Sequence, residues 1–177
     1  MSGTPKRRPS RAPELALTVQ YGVRSAQLPS RARLREWAHA ALRRNAAITL
    51  RIICAREARG LNRRFRRRDY ATNVLTFTYP DQRPLAGDIA LCAPVAAREA
   101  RVRGISREAH YAHLVIHGML HLQGFDHENE RDARRMERLE SRILARLGYA
   151  DPYGGTAAKT RLSASRLTPH TSRKHGR

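Results

Sequence analysis

The chain has 177 residues, of which 41% are hydrophobic, so it is long enough for one domain with its own core. No apolar run approaches the roughly 20 residues that cross a bilayer, which argues against a membrane-spanning protein. Thirty-five basic residues against fifteen acidic ones give a net charge of +20, and such a field attracts polyanions. The alternative is a solvated basic surface whose arginine bias reflects genome composition.

The hydrophobic pattern predicts a mixed order of strands and helices. In chain order we expect a strand at 15–23, a helix that opens at Pro29–Ser30, a strand at 47–54, an arginine-rich helix at about 56–67, strands at 73–77 and 88–92, and helices at 94–102, 106–124 and 128–147. Strands alternate with helices early, and only helices follow. This order predicts a single α+β domain with a small mixed sheet of about four strands packed by about five helices.

Charge is concentrated at the two ends of the chain. Residues 1–11 carry four basic groups and residues 154–177 carry six, and neither segment contains an acidic residue. We therefore predict basic, disordered extensions at both ends of a domain that spans 12–153. The basic start is not typical of a signal peptide, so we expect a cytoplasmic protein in which Cys54 and Cys92 are buried thiols.

Three histidines give the strongest chemical signal. His117 and His121 stand four residues apart in a predicted helix, so both lie on one face. Gly124 allows the helix to end, and the chain can return with His127 as a third ligand. Three imidazoles leave one position of a tetrahedral zinc open for water, as in catalytic sites. We predict one Zn²⁺ per chain held by these histidines, although nickel, cobalt or copper would also accept them.

The spacing is that of a zincin-like histidine helix and matches the metzincin proteases at every position but one. Gly118 stands where those enzymes carry a glutamate general base, and glycine cannot accept a proton. Peptide hydrolysis by that mechanism is therefore disfavoured. Asp126 either orients a ligand imidazole from the second shell or forms a local turn or cap. His113 either lines the pocket or is a partly buried histidine satisfied by a neighbour.

Arginines crowd the segment from Arg56 to Arg68, where they occupy seven of thirteen positions. The guanidinium fork suits phosphate oxygens, whereas a solvated helix face is the alternative for most of these side chains. One of these arginines would matter most if it reached the metal.

Several sequence blocks together resemble the YbeY family of bacterial endoribonucleases and ribosomal RNA maturation factors over about residues 14–153. The blocks are Leu-Asn-Arg-Arg-Phe-Arg at 61–66, Thr-Asn-Val-Leu-Thr-Phe at 72–77, Gly-Asp-Ile at 87–89, the histidine segment, and Leu-Gly-Tyr-x-Asp-Pro-Tyr at 147–153. The family's usual Thr-Asp-Val-Leu-Ser-Phe differs here at Asn73 and Thr76. The resemblance implies a zinc-binding α+β fold, with the family ligands at His117, His121 and His127 and the functional arginine at Arg66.

The resemblance also implies a function in ribosomal RNA maturation. We expect a single-strand-directed, metal-dependent endoribonuclease that acts on small-subunit ribosomal RNA and in ribosome quality control. Its partners would be that RNA, the small subunit and ribosome-associated proteins. Zinc would activate water or polarise a phosphoryl oxygen, and Arg66 would neutralise transition-state charge. The remaining arginines would hold the RNA backbone without reading bases: Arg63, Arg64, Arg67 and Arg68.

Two other functions compete with this expectation. A non-catalytic, ribosome-binding assembly factor with a structural zinc would explain the charge and would need no general base. A residual peptidase is disfavoured by Gly118. The sequence leaves open whether water or the ribose 2′-hydroxyl attacks.

Overall fold

The computed structural model describes residues 12–125 and 129–154. Within them the chain forms five helices and four strands, which confirms the predicted α+β class. In chain order the elements are β1 Leu15–Tyr21, α1 Arg31–Ala40, β2 Ala46–Ile53, α2 Ala55–Arg66, β3 Val74–Tyr79, β4 Leu85–Cys92, α3 Ala93–Arg103, α4 Arg107–Leu122 and α5 Glu130–Arg146. The predicted disordered extensions fall on residues outside the described ranges, apart from Gly154.

The four strands form one mixed sheet in the order β1-β2-β4-β3. The first three pair in parallel, and β3 pairs antiparallel with β4, with Thr76 opposite Ile89 and Phe77 opposite Asp88. The sequence predicted strands at 73–77 and 88–92, and the structure extends both of them toward each other. Pairing continues to Tyr79 opposite Ala86, so β4 begins at Leu85 and the connection is short. As a result β3 is an outer strand of the described sheet.

Two hydrophobic clusters cover the two faces of the sheet. Ile89 and Leu91 belong to the larger cluster with residues of α1, α4 and α5, whereas Ala90 and Cys92 belong to the smaller one with Ala58 of α2. Because successive side chains of a strand point to opposite faces, the histidine-bearing α4 and the arginine-rich α2 lie on opposite sides of the sheet.

Helix α4 runs through the larger cluster. Eleven of its sixteen residues are buried, and the Ser106 hydroxyl caps its first turn by accepting a hydrogen bond from the Ala109 amide at 3.1 Å. Such a helix is ordered by packing along most of its length, so side chains on it are held rigidly. None of the described helices is long and apolar enough to cross a membrane.

Gly118 permits a close approach between α4 and the sheet. A Cβ at this position would lie 3.1 Å from Ile89 Cγ2 and 3.4 Å from Thr76 Cγ2. Position 118 therefore faces β3 and β4 rather than the neighbouring imidazoles. The packing of the helix gives a physical reason for glycine where metzincins carry glutamate.

Candidate metal centre and arginine surface

His117 and His121 lie one turn apart on α4, with 4.6 Å between their ring centroids. Both side chains are only partly buried. The Nδ1 atom of His117 donates to Glu140 Oε1 on α5 at 2.7 Å. Because this hydrogen bond occupies Nδ1, Nε2 is the nitrogen of His117 that is suited to a metal. A ligand histidine whose other nitrogen is bound to a carboxylate is the usual arrangement at protein zinc sites.

Glu140 is completely buried, with an exposed fraction of 0%, and is surrounded by donors. Burial alone would raise its pKa, but the hydrogen bonds with His113 and His117 outweigh burial and lower the pKa of Glu140 to about 2. The carboxyl group is therefore ionised at neutral pH and can only accept hydrogen bonds. It thereby fixes the proton of His117 on Nδ1.

Tyr153 and His113 complete the shell around Glu140. The Tyr153 hydroxyl donates to Glu140 Oε2, and burial followed by the nearby carboxylate raises the pKa of Tyr153. His113 is buried, and its Nε2 atom lies 3.3 Å from Glu140 Oε2 and 3.2 Å from the Tyr153 hydroxyl. His113 is thus held by neighbours rather than directed to solvent, and its assignment to the second shell stays a prediction.

The described residues contain one group of three side chains that could hold a metal ion, His113, His117 and Glu140. Their ligand atoms lie within 4.8 Å of one another. This group shares only His117 with the set predicted from the sequence, because His127 and Asp126 lie outside the described ranges. Both oxygens of Glu140 already accept hydrogen bonds from the two imidazoles, so an ion among these three groups would displace those bonds.

The donor set therefore fits a metal better on the other side of the His117 ring. There the metal would meet His117 Nε2 and His121, and the Glu140 hydrogen bonds would stay intact. Two neutral imidazoles from one rigid helix suit zinc.

Sequence reasoning missed Glu140 and Tyr153. The signal for Glu140 was present, since it falls within the buried stripe of α5 that contains Met136, Leu139 and Ile143. A carboxylate on the apolar face of an amphipathic helix needs a partner, and such partners are usually buried donors. Tyr153 follows α5 in a turn where Asp151 Oδ1 accepts hydrogen bonds from the Ser141 hydroxyl and the Tyr153 amide.

The arginine surface consists of Arg63, Arg64, Arg66, Arg67 and Arg68 at the C-terminal end of α2, all of which are exposed. Helix α2 ends at Arg66 and is followed by the C-cap residue Arg67, whose φ of 56° is left-handed. Arg59 outside this surface is paired with Asp69 at 2.6 Å. In contrast, no described carboxylate forms an ion pair with Arg64, Arg66 or Arg67. Their charge is available to an anionic ligand, and the catalytic assignment of Arg66 stays a prediction.

Fold and site define an α+β protein whose central helix presents histidines backed by a buried carboxylate. Residues 24–148 match the family model described as endoribonuclease YbeY. Relatives named Endoribonuclease YbeY come from Aromatoleum aromaticum (56% identical over 142 residues, 78% of this chain and 92% of the relative), Nitrosospira multiformis (51% over 172, 86% and 90%) and Methylobacillus flagellatus (51% over 147, 83% and 99%). The chain belongs to the endoribonuclease YbeY family, as the sequence predicted.

Proposed function

We propose that this chain is a zinc-dependent endoribonuclease that cuts single-stranded segments of small-subunit ribosomal RNA. The observation that carries this proposal is the hydrogen bond from His117 Nδ1 to the buried carboxylate of Glu140. It prepares Nε2 as a metal ligand, and the relatives of the chain are named as endoribonucleases. We further propose that residues 12–153 form the catalytic domain.

The proposed ligands are His117, His121 and His127, with one Zn²⁺ per chain. When bound, zinc would lower the pKa of a water molecule toward neutrality or polarise a phosphoryl oxygen. Glu140 orients the His117 ring, and Tyr153 and His113 hold Glu140. The proposed second-shell role of Asp126 is to orient the third imidazole.

Arg66 is the proposed catalytic arginine. Its guanidinium would neutralise the charge that develops on the scissile phosphate. The proposed backbone contacts come from the other members of the arginine surface, which is cationic and exposed and so suited to phosphates in any sequence. The net charge of +20 supports a polyanionic partner, for which we propose ribosomal RNA and the small subunit. We also propose the cytoplasm as the place of action and quality control as the role.

Cleavage of ribosomal RNA tests the proposal. The wild type, His121→Ala and a control, His39→Ala, would be purified identically and assayed with and without a chelator. His39 is an exposed histidine of α1, far in sequence from the motif. We expect cleavage by the wild type and the control only, and its loss with the chelator. Equal cleavage by His121→Ala would show that the activity is a contaminant.

The second candidate function is a non-catalytic ribosome-binding assembly factor with a structural zinc. The exposed charge at the end of α2 would serve such binding equally well. Arg66→Ala separates the two functions when it is compared with Arg56→Ala, which removes another exposed arginine at the other end of the same helix. An enzyme loses cleavage only with Arg66→Ala and keeps its zinc and melting temperature in both variants. An assembly factor shows no cleavage in any of the three proteins.

A further inference from the structure

An aromatic ring stands in the middle of the arginine surface. Phe65 lies on the last turn of α2 and is 56% exposed, although most residues of its size and polarity are buried. Its ring packs edge-to-face on Phe77 of β3, with 5.0 Å between the centroids and an interplanar angle of 67°. Phe77 therefore fixes the orientation of the Phe65 ring, while more than half of the Phe65 side chain stays in contact with solvent.

The surroundings of this ring are cationic. The guanidinium carbon of Arg64 lies 5.3 Å from the Phe65 centroid, and Arg63, Arg66 and Arg67 occupy the same end of the helix. A second exposed aromatic residue, Tyr70, follows at 52% exposure. An exposed aromatic ring by itself does not indicate a binding site. A ring held within a row of guanidinium groups combines a stacking surface for a base with donors for the adjoining phosphates, which is how single-stranded nucleic acid is bound without base readout.

Strand β3 connects this ring with the histidine helix. Phe77 meets Phe65 on one face of the strand, and its neighbour Thr76 lies beside Gly118 of α4 on the other face. Gly118 stands between His117 and His121 in the chain. Because β3 is an outer strand of the described sheet, an RNA strand that crosses its edge can contact Phe65 and the histidine face of α4 together.

We propose that Phe65 stacks an unpaired nucleobase of the RNA substrate and so selects single-stranded segments. In duplex RNA each base face is covered by its neighbours in the stack, so only an unpaired or splayed base can occupy the ring. The Arg64 guanidinium lies over one face of the ring, so the base stacks on the other face, and the phosphates on either side of the stacked base meet the other arginines. The inference rests on the proposed function in that the ligand is RNA.

Binding is measured by fluorescence anisotropy in the presence of chelator, so that cleavage plays no part. The probes are a fluorescein-labelled, unstructured RNA of about 12 nucleotides, an abasic ribose-phosphate strand of the same length, and a duplex of the same length. The variants are Phe65→Ala, Phe65→Leu and Phe65→Trp. The control is Val102→Ala, which truncates a 79% exposed apolar side chain on α3.

We expect Phe65→Ala and Phe65→Leu to weaken binding of the unstructured RNA about tenfold, and Phe65→Trp and the control to keep it. Affinity for the abasic strand and the duplex should be unchanged in all variants. Wild-type affinity in Phe65→Leu would overturn the proposal, since leucine keeps a branched apolar side chain but has no aromatic face. An equal loss on the abasic strand would also overturn it, because the effect would then lie in the backbone contacts.

The binding and cleavage assays distinguish failure of the nuclease assignment from failure of the stacking role. If the wild type binds RNA and Phe65→Ala weakens that binding, but no cleavage occurs, the nuclease assignment fails and the stacking role stands. If the wild type does not bind the unstructured RNA, the stacking role is overturned, whereas the nuclease assignment is decided by the cleavage assay.

Discussion

Replacing Glu140 with glutamine tests whether the buried carboxylate prepares the metal site. The variant keeps the shape of the side chain but removes its charge. The amide oxygen can still accept from His117 Nδ1, whereas the amide nitrogen faces the His113 nitrogen and the Tyr153 hydroxyl that now donate to Oε2. The hydrogen bond to His117 thus survives without its charge, and the hydrogen bonds at Oε2 must rearrange.

The expected effect of Glu140→Gln on stability follows from these hydrogen bonds. A hydrogen bond to a charged group contributes about 1.5–3 kcal/mol and a neutral one about 1 kcal/mol, so each bond to Glu140 weakens by roughly 1 kcal/mol. The variant also removes the cost of keeping a charge in a completely buried position, with an exposed fraction of 0%, and this offsets part of that loss. We therefore expect Glu140→Gln to lower the free energy of unfolding by only about 1 kcal/mol, but to weaken zinc binding about 10- to 100-fold, as for other carboxylates that orient ligand histidines.

The assay is competition for zinc with a chromophoric chelator at neutral pH, with urea denaturation of the same metal-free preparations. Glu137→Gln removes one charge from the exposed side of α5 and serves as the control. Wild-type zinc affinity in Glu140→Gln would refute the reasoning, because Glu140 would then play no part in orienting His117. If Glu140→Gln and Glu137→Gln weaken zinc binding equally, the loss of affinity comes from the change in net charge and not from the orientation of His117.

Three further predictions follow from described contacts. His121→Ala should abolish zinc binding and His113→Ala should only weaken it; the reverse order in the same competition assay would place the metal among His113, His117 and Glu140 instead. Gly118→Ala should cost about 1 kcal/mol in urea denaturation, because crowding against Ile89 outweighs the gain in helix propensity; unchanged stability would contradict the close approach. Burial raises the pKa of Glu99, but hydrogen bonds from His110 and Asn73 lower it further than burial raises it. The stability that Glu99 contributes is thus complete above its unfolded pKa and is lost as pH falls through its folded pKa. Glu99→Gln should therefore make the free energy of unfolding fall less steeply with decreasing pH below pH 4.5. The same pH dependence in the variant and the wild type would refute this prediction.

The sequence was sufficient for the fold class and for the shared face of His117 and His121, because both follow from the helical period. It failed where the structure depends on contacts between elements distant in the chain. Glu140 is 23 residues from His117, and only the packing of α5 on α4 brings them together. The short connection after Tyr79 was missed for a similar reason, since its turn-forming residues concealed the pairing with Ala86.

The positions of Gly118 and Glu140 together limit how the site can work. A side chain at 118 would meet Ile89 and Thr76, so α4 cannot direct a carboxylate from that position toward its own imidazoles. Among the described residues, the carboxylate next to these imidazoles comes from α5 and lies against Nδ1 of His117, on the side of the ring away from Nε2. It therefore cannot reach a water molecule bound to a metal at Nε2 and cannot be the general base. Because neither position 118 nor Glu140 supplies a general base, we propose that a reaction at this centre depends on positioning and on neutralising charge, which phosphoryl transfer tolerates and amide hydrolysis by the metzincin route does not. We propose that the arginine-rich end of α2, on the other side of β3, supplies charge of the required sign.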